Sequence, residues 1–251
     1  MAFARFATRI CIALLVGLCM STTVFAEEMT VSAAASLKNA FLEMKTLFEK
    51  QQAQCTVHTN FAASNPLLKQ LVEGAPVDVF ASADTATMDK AIAAKVVDPA
   101  SRTIFAKNDL VLIVPKGSPK PKDLGNLVSF AKIAIGNPDS VPAGRYAKEA
   151  LVTHGMFEKL AKHYIYGNSV RQVLEYVVRG EVDAGFVYRT DAKLMADKVD
   201  IVMQVTGHTE VVYPIAVATT GSNAAMGQRF IACVRSPEGQ AILVRYGFTM
   251  P

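Results

Sequence analysis

The sequence predicts an α/β protein whose sheets are covered by helices, and three observations carry that expectation. Short apolar, β-branched runs alternate along the chain with amphipathic segments of helical period. Several of these runs end in a small or hydroxyl-bearing residue that opens a helix. No stretch has the composition of a flexible tether, which fits two lobes joined by strands.

The first 26 residues stand apart. Arg5 and Arg9 are their only charges, and the apolar run over 10–20 is shorter than the ~20 residues a membrane-spanning helix needs. Small and polar residues follow, with Val24 and Ala26 at the −3 and −1 positions of a cleavage site. This pattern is that of a secretory signal peptide over residues 1–26. Lipid anchoring at Cys19 is disfavoured by the bulky Leu18 before it.

From there the pattern runs in order. Residues 29–34 read as a strand. Leu37, Ala40, Phe41, Met44, Leu47 and Phe48 then fall on one face of a helix. Residues 55–61 alternate as a strand, 66–73 form a short helix closed by Gly74, and 77–81 form a third strand. A helix over 86–96 follows, then an apolar strand over 110–114 and another over 133–136. Helix 143–154, strand 164–166 and helix 170–179 come next, the last stopped by Gly180. Strands at 182–188, 199–205 and 211–218 precede a helical segment, 224–246, broken near Ser236-Pro237.

Removing Arg5 and Arg9 lowers the formal charge from +4 to +2, and no Lys/Arg run is present, so nucleic acid is not an expected partner. The four histidines are scattered without metal-ligand spacing, which disfavours a metal held by protein side chains. Beyond the leader only Cys55 and Cys233 remain, and their spacing leaves open a disulfide or two buried thiols. An exported hydrolase with Ser36 or Ser64 as nucleophile would need a base and an orienting group. There is no Gly-x-Ser-x-Gly elbow, and no histidine follows a strand end in a suggestive setting, so an enzyme is not expected.

The chemistry is carried by the strand-to-helix junctions. Ala35-Ser36-Leu37, Ala63-Ser64-Asn65-Pro66, Val141-Pro142-Ala143-Gly144 and Gly167-Asn168-Ser169-Val170 each lead into a helix. A helix start offers N–H groups with no internal partner and the positive end of a dipole. Several such starts converging on one cleft would bind an anion without Lys or Arg. Taken singly, Ser36 and Ser64 read equally as plain N-caps, and Tyr188 as a strand-end aromatic.

Their order and spacing add information. Ala33-Ala34-Ala35-Ser36-Leu37, Phe61-Ala62-Ala63-Ser64, the run from Gly74 to Asp84, the run from Val141 to Leu151, Gly185-Phe186-Val187-Tyr188 and Arg245-Tyr246-Gly247-Phe248 resemble successive signatures of periplasmic molybdate-binding proteins of ABC importers. The resemblance spans about residues 29–248. It implies a type II periplasmic binding protein fold: two α/β lobes with mixed central sheets joined by hinge strands, residues 27–107 with 213–251 forming one lobe and 108–212 the other. It implies crossings near 105–110 and 211–218, about which the lobes close. Carried over residue by residue, the anion contacts fall on Ser36, Ser64, Ala143 (backbone), Val170 (backbone) and Tyr188 (hydroxyl). One departure is Asn65-Pro66 after Ser64: Pro66 has no N–H, so donors on that side are expected from Ser64 and Asn65. The resemblance further implies molybdate or tungstate as ligand, with sulfate or another small oxyanion as the alternative. It implies no cofactor, a membrane permease as partner, and a monomer in the periplasm.

Overall fold

The computed structural model describes residues 27–251, so the expected signal peptide lies outside the described residues. Among the described residues no helix is long and apolar enough to cross a membrane.

Two five-stranded mixed sheets organise the chain. The first half runs β1 (Glu27–Ala34), α1 (Lys38–Gln51), β2 (Cys55–Ala62), α2 (Ser64–Val72), β3 (Val79–Ala81), α3 (Thr85–Ala93) and β4 (Thr103–Asn108). It continues with β5 (Leu110–Pro115), β6 (Ile133–Gly136), α4 (Pro142–Thr153), β7 (Tyr164–Gly167), α5 (Val170–Val178), β8 (Ala184–Tyr188), α6 (Arg189–Leu194) and β9 (Val199–Gln204). Strand β10 (Val211–Val217) and helices α7 (Ala224–Arg235) and α8 (Pro237–Arg245) complete it. The first sheet has the order β2-β1-β3-β10-β4 and the second β7-β6-β8-β5-β9. In both, three strands run parallel (β2-β1-β3 and β7-β6-β8), and the fourth, β10 or β5, runs antiparallel to both of its neighbours. The fold is therefore two α/β lobes with mixed sheets, as the sequence predicts.

Strands β1, β5, β8 and β10 are buried on both faces for most of their length, which is why they are near-continuous apolar runs rather than alternating ones. Helix α1 presents Ala40, Phe41, Met44 and Phe48 to the core, with Leu47 packed at its margin. An aromatic chain runs inward from that face. Phe48 and Phe41 meet Phe230, Phe41 meets Phe105, and Phe105 meets Tyr213, with ring centroids 5.3 to 6.3 Å apart. Tyr213 thus connects the first lobe's core to the cleft.

Three features differ from expectation or go beyond it. Residues 103–108 form a strand rather than a bare crossing, pairing with β10. Only Asp109 separates β4 in one sheet from β5 in the other. The ladder of β10 is irregular between Tyr213 and Pro214, where the proline has no N–H to offer. Finally, Cys55 and Cys233 are both free, buried thiols. Burial raises both thiol pKa values, Cys233 to about 11, which keeps the sulfur neutral and inert.

Candidate ligand-binding site

Five junctions of strand and helix meet between the lobes. At the end of β1 the chain makes a 3-10 turn, Ala35–Leu37, before α1. Its capping position is Ala34 and no side chain caps it, so the buried Ser36 hydroxyl is not used as a helix cap. The Ser36 Oγ lies 3.0 Å from the Tyr213 hydroxyl instead.

Helix α2 begins at Ser64 with Ala63 as an uncapped N-cap. The plain-cap reading therefore fails for Ser64 as well: its Oγ accepts the Ala83 N–H at 3.0 Å. Asn65 turns away from the cleft. Its Nδ2 donates to the Asp139 carbonyl at 2.7 Å, and its Oδ1 accepts from Thr87 Oγ1 at 2.8 Å. Of the two donors expected beside Pro66, the side chain of Ser64 faces the cleft and that of Asn65 bridges the lobes.

On the facing side, α4 starts with Pro142, and its first backbone bond returns from the Arg145 N–H to the Val141 carbonyl. The Ala143 and Gly144 N–H groups therefore precede the helical ladder. Gly144 is required there by packing: a Cβ would lie 1.9 Å from the Gly136 carbonyl oxygen. Helix α5 is capped by Ser169, whose Oγ accepts the Gln172 N–H at 3.2 Å. That bond leaves the Val170 and Arg171 N–H groups at the helix mouth. Tyr188 ends β8 with its side chain fully enclosed, and its hydroxyl has no hydrogen-bond partner among the described residues. Burial pushes that phenol far above its ordinary pKa, so it stays protonated and available as a donor.

Ser36, Ser64, Ala143, Val170 and Tyr188 all line one small cavity of about 10 Å³, together with Ala35, Ala83 and Val141 among others. No charged side chain lines it. Larger depressions exist, such as one of about 460 Å³ beside Lys122 and His154, but they are open surface hollows without converging helix starts. The cavity has donors and no carboxylate acceptor, in low-dielectric surroundings. This suits an unprotonated anion, because every buried donor can be satisfied and no ligand proton is left without an acceptor.

Charges sit just outside the cavity and tie the lobes together. Arg145 of α4 lies 2.6 Å from Asp84, which also caps α3 through the Thr87 N–H. Arg171 of α5 donates to Asn39 Oδ1 at 3.0 Å and to the Ser36 carbonyl at 3.2 Å. These contacts are invisible in sequence: Arg145 lies 61 residues from Asp84.

Arg171 also lies 2.6 Å from Asp191, which has no exposure. The approach is a close ion pair rather than an aligned hydrogen bond. Burial raises the Asp191 carboxyl to about 6 against the pull of Arg171. An unfolded aspartate ionises near about 3.9, so between roughly pH 4 and 6 the folded chain keeps a proton that the unfolded chain has lost. The resulting stabilisation is complete below about pH 4 and is lost as pH rises through about 6. Thermal melting across that range should therefore show a smaller loss of Tm with rising pH in Asp191→Asn than in the parent. Identical slopes would contradict this assignment.

Helix starts at strand ends, a cavity between the lobes and mixed twin sheets define a two-lobed binding protein. The chain matches the family described as bacterial extracellular solute-binding protein over residues 29–249, and it belongs to that family. It is a solute-binding protein and not an enzyme. The molybdate-binding protein ModA of Escherichia coli (strain K12) is 38% identical over 232 residues, covering 89% of each chain. The ModA of Haemophilus influenzae is 34% identical over 229 residues, covering 88% of this chain and 90% of the relative. Among solved structures, the periplasmic molybdate-binding protein of Azotobacter vinelandii matches with a TM-score of 0.77 at 24% identity, covering 89% of this chain and 99% of that one. At that identity the likeness speaks for the fold.

Proposed function

We propose that this protein captures molybdate, and tungstate equally, between its lobes and delivers it to the membrane permease of an ABC importer. The observation that carries the reading is the cavity bounded by Ser36, Ser64, Ala143, Val170 and Tyr188, which offers neutral donors from both lobes and no charged side chain. Molybdate and tungstate are unprotonated dianions at neutral pH, with four acceptor oxygens for those donors. Monohydrogen phosphate would bring a proton for which the cavity has no carboxylate. Sulfate carries no proton, and it is discriminated by size: a smaller ion leaves donors unpaired at about 1–3 kcal/mol each.

The lobes exchange at Asn108-Asp109 and again before β10, and closing about these two crossings brings Ala143, Val170 and Tyr188 onto an ion held by Ser36 and Ser64. The chain works as a monomer in the periplasm after removal of residues 1–26, with no cofactor and no nucleic-acid partner. The relatives named as molybdate-binding proteins support the choice of ion.

Titration of the purified protein with molybdate, tungstate, sulfate and phosphate tests this. Molybdate and tungstate at 100 times their Kd should each stabilise the fold by about 2.7 kcal/mol in denaturation experiments. Phosphate should have no effect. Sulfate binding as tight as molybdate binding would replace this reading with a general oxyanion carrier.

A further inference from the structure

Tyr213 is not a wall of the cavity, yet the direction of its hydrogen bonds controls one that is. The chain begins at Asn108, the last residue of β4. Its Oδ1 accepts the Asp109 N–H at 3.0 Å, which orients the amide. Its Nδ2 therefore faces Thr190 Oγ1 at 2.9 Å and the Tyr213 hydroxyl at 3.3 Å. An amide nitrogen only donates, so the Tyr213 oxygen accepts from Asn108. The phenol's own proton then needs an acceptor, and the one within reach is Ser36 Oγ at 3.0 Å. Burial keeps Tyr213 protonated, so this donation persists across neutral pH.

Having accepted from Tyr213, Ser36 has its own proton left for the cavity. Ser64 is arranged the same way, since the Ala83 N–H behind it can only donate. Tyr188 has no partner at all among the described residues. All three hydroxyls are thus free to donate inward, two of them because of what stands behind them.

We infer that Tyr213, backed by Asn108, is a specificity-determining residue: it fixes Ser36 as a donor toward the ligand and so helps to exclude anions that carry a proton. The inference rests on the oxyanion-binding reading above. Freed from Tyr213, the Ser36 hydroxyl can rotate and accept, and an anion bearing a proton is then no longer mismatched at that point. Asn108 ends β4 beside the crossing at Asp109, and Tyr213 lies on β10, the strand that follows the second crossing.

The test is calorimetric titration of Tyr213→Phe, which removes one oxygen from a buried ring and keeps its packing. Molybdate affinity should fall about five- to tenfold, the weight of one buried hydrogen bond. The preference for sulfate over phosphate should shrink, because only phosphate carries a proton at neutral pH. In a Ser36→Ala background the same Tyr213→Phe change should lose most of its effect on molybdate affinity, since it acts through Ser36. An unchanged sulfate-to-phosphate preference, or a Tyr213→Phe effect that persists undiminished without Ser36, overturns the inference while leaving the oxyanion reading intact. A parent protein that binds none of the four anions overturns both.

Discussion

Replacing Ser36 and Ser64 together by alanine is expected to weaken molybdate binding by about 3–6 kcal/mol, roughly a hundred- to ten-thousand-fold. In the proposed site each serine donates a hydrogen bond to a charged group, worth about 1.5–3 kcal/mol when measured by removal. The two hydroxyls are the side-chain donors of the first lobe in the cavity, so their loss leaves that wall with backbone groups alone. Folding should suffer as well. Ser64→Ala removes the acceptor of the buried Ala83 N–H, and Ser36→Ala removes the acceptor of Tyr213. Each is a cost of about 1–3 kcal/mol to the empty protein. Calorimetry with molybdate, alongside chemical denaturation without it, separates the two effects. Near-parental affinity in the double variant would remove both serines from the site.

Gly144→Ala should be the most damaging single methyl group in the cleft. The added carbon would sit 1.9 Å from the Gly136 carbonyl oxygen, a backbone atom with no freedom to turn aside. The first turn of α4 must therefore lift from β6, and the Ala143 N–H beside it leaves its place at the cavity. Overpacking of this kind costs about 1–3 kcal/mol in stability. The displaced donor adds a further loss of affinity that a stabilising second mutation elsewhere would not recover. Denaturation and titration of the same preparation give both numbers. Parental values for stability and affinity would show that the contact yields easily.

Much of the fold is legible because strands and long helices advertise themselves by period. The apolar face of α1 and the buried runs of β5, β8 and β10 follow directly from their residues. Strand β4 escapes as a strand because only Phe105, Ala106 and Asn108 of its six residues are buried, which breaks the alternation. Helix α6 has six residues, fewer than two turns, and a pattern that short cannot be told from a loop.

The five site positions are legible as ordered motifs, and the structure brings all five to one cavity. What the sequence could not provide is what each serine does there. A serine before a helix reads as a cap, and here neither Ser36 nor Ser64 caps its own helix. Both accept from partners distant in sequence, Tyr213 and Ala83, which no local pattern reveals. The interlobe pairs Arg145 with Asp84 and Arg171 with Asn39 are hidden for the same reason.

Those interlobe pairs bear on time rather than on strength alone. In the proposed cycle an ion enters while the lobes stand apart, so its arrival does not depend on Arg145, Arg171 or Asn65. Departure does, because reopening must separate Asp84 from Arg145, the Ser36 carbonyl from Arg171 and Asn65 from the Asp139 carbonyl together. Stabilisation of this sort acts on the dissociation rate, each 1.4 kcal/mol lengthening the dwell of the cargo about tenfold. The ring of polar contacts around the cavity is in that sense a clock, and the proposed permease would shorten the wait by prying it apart without touching the ion.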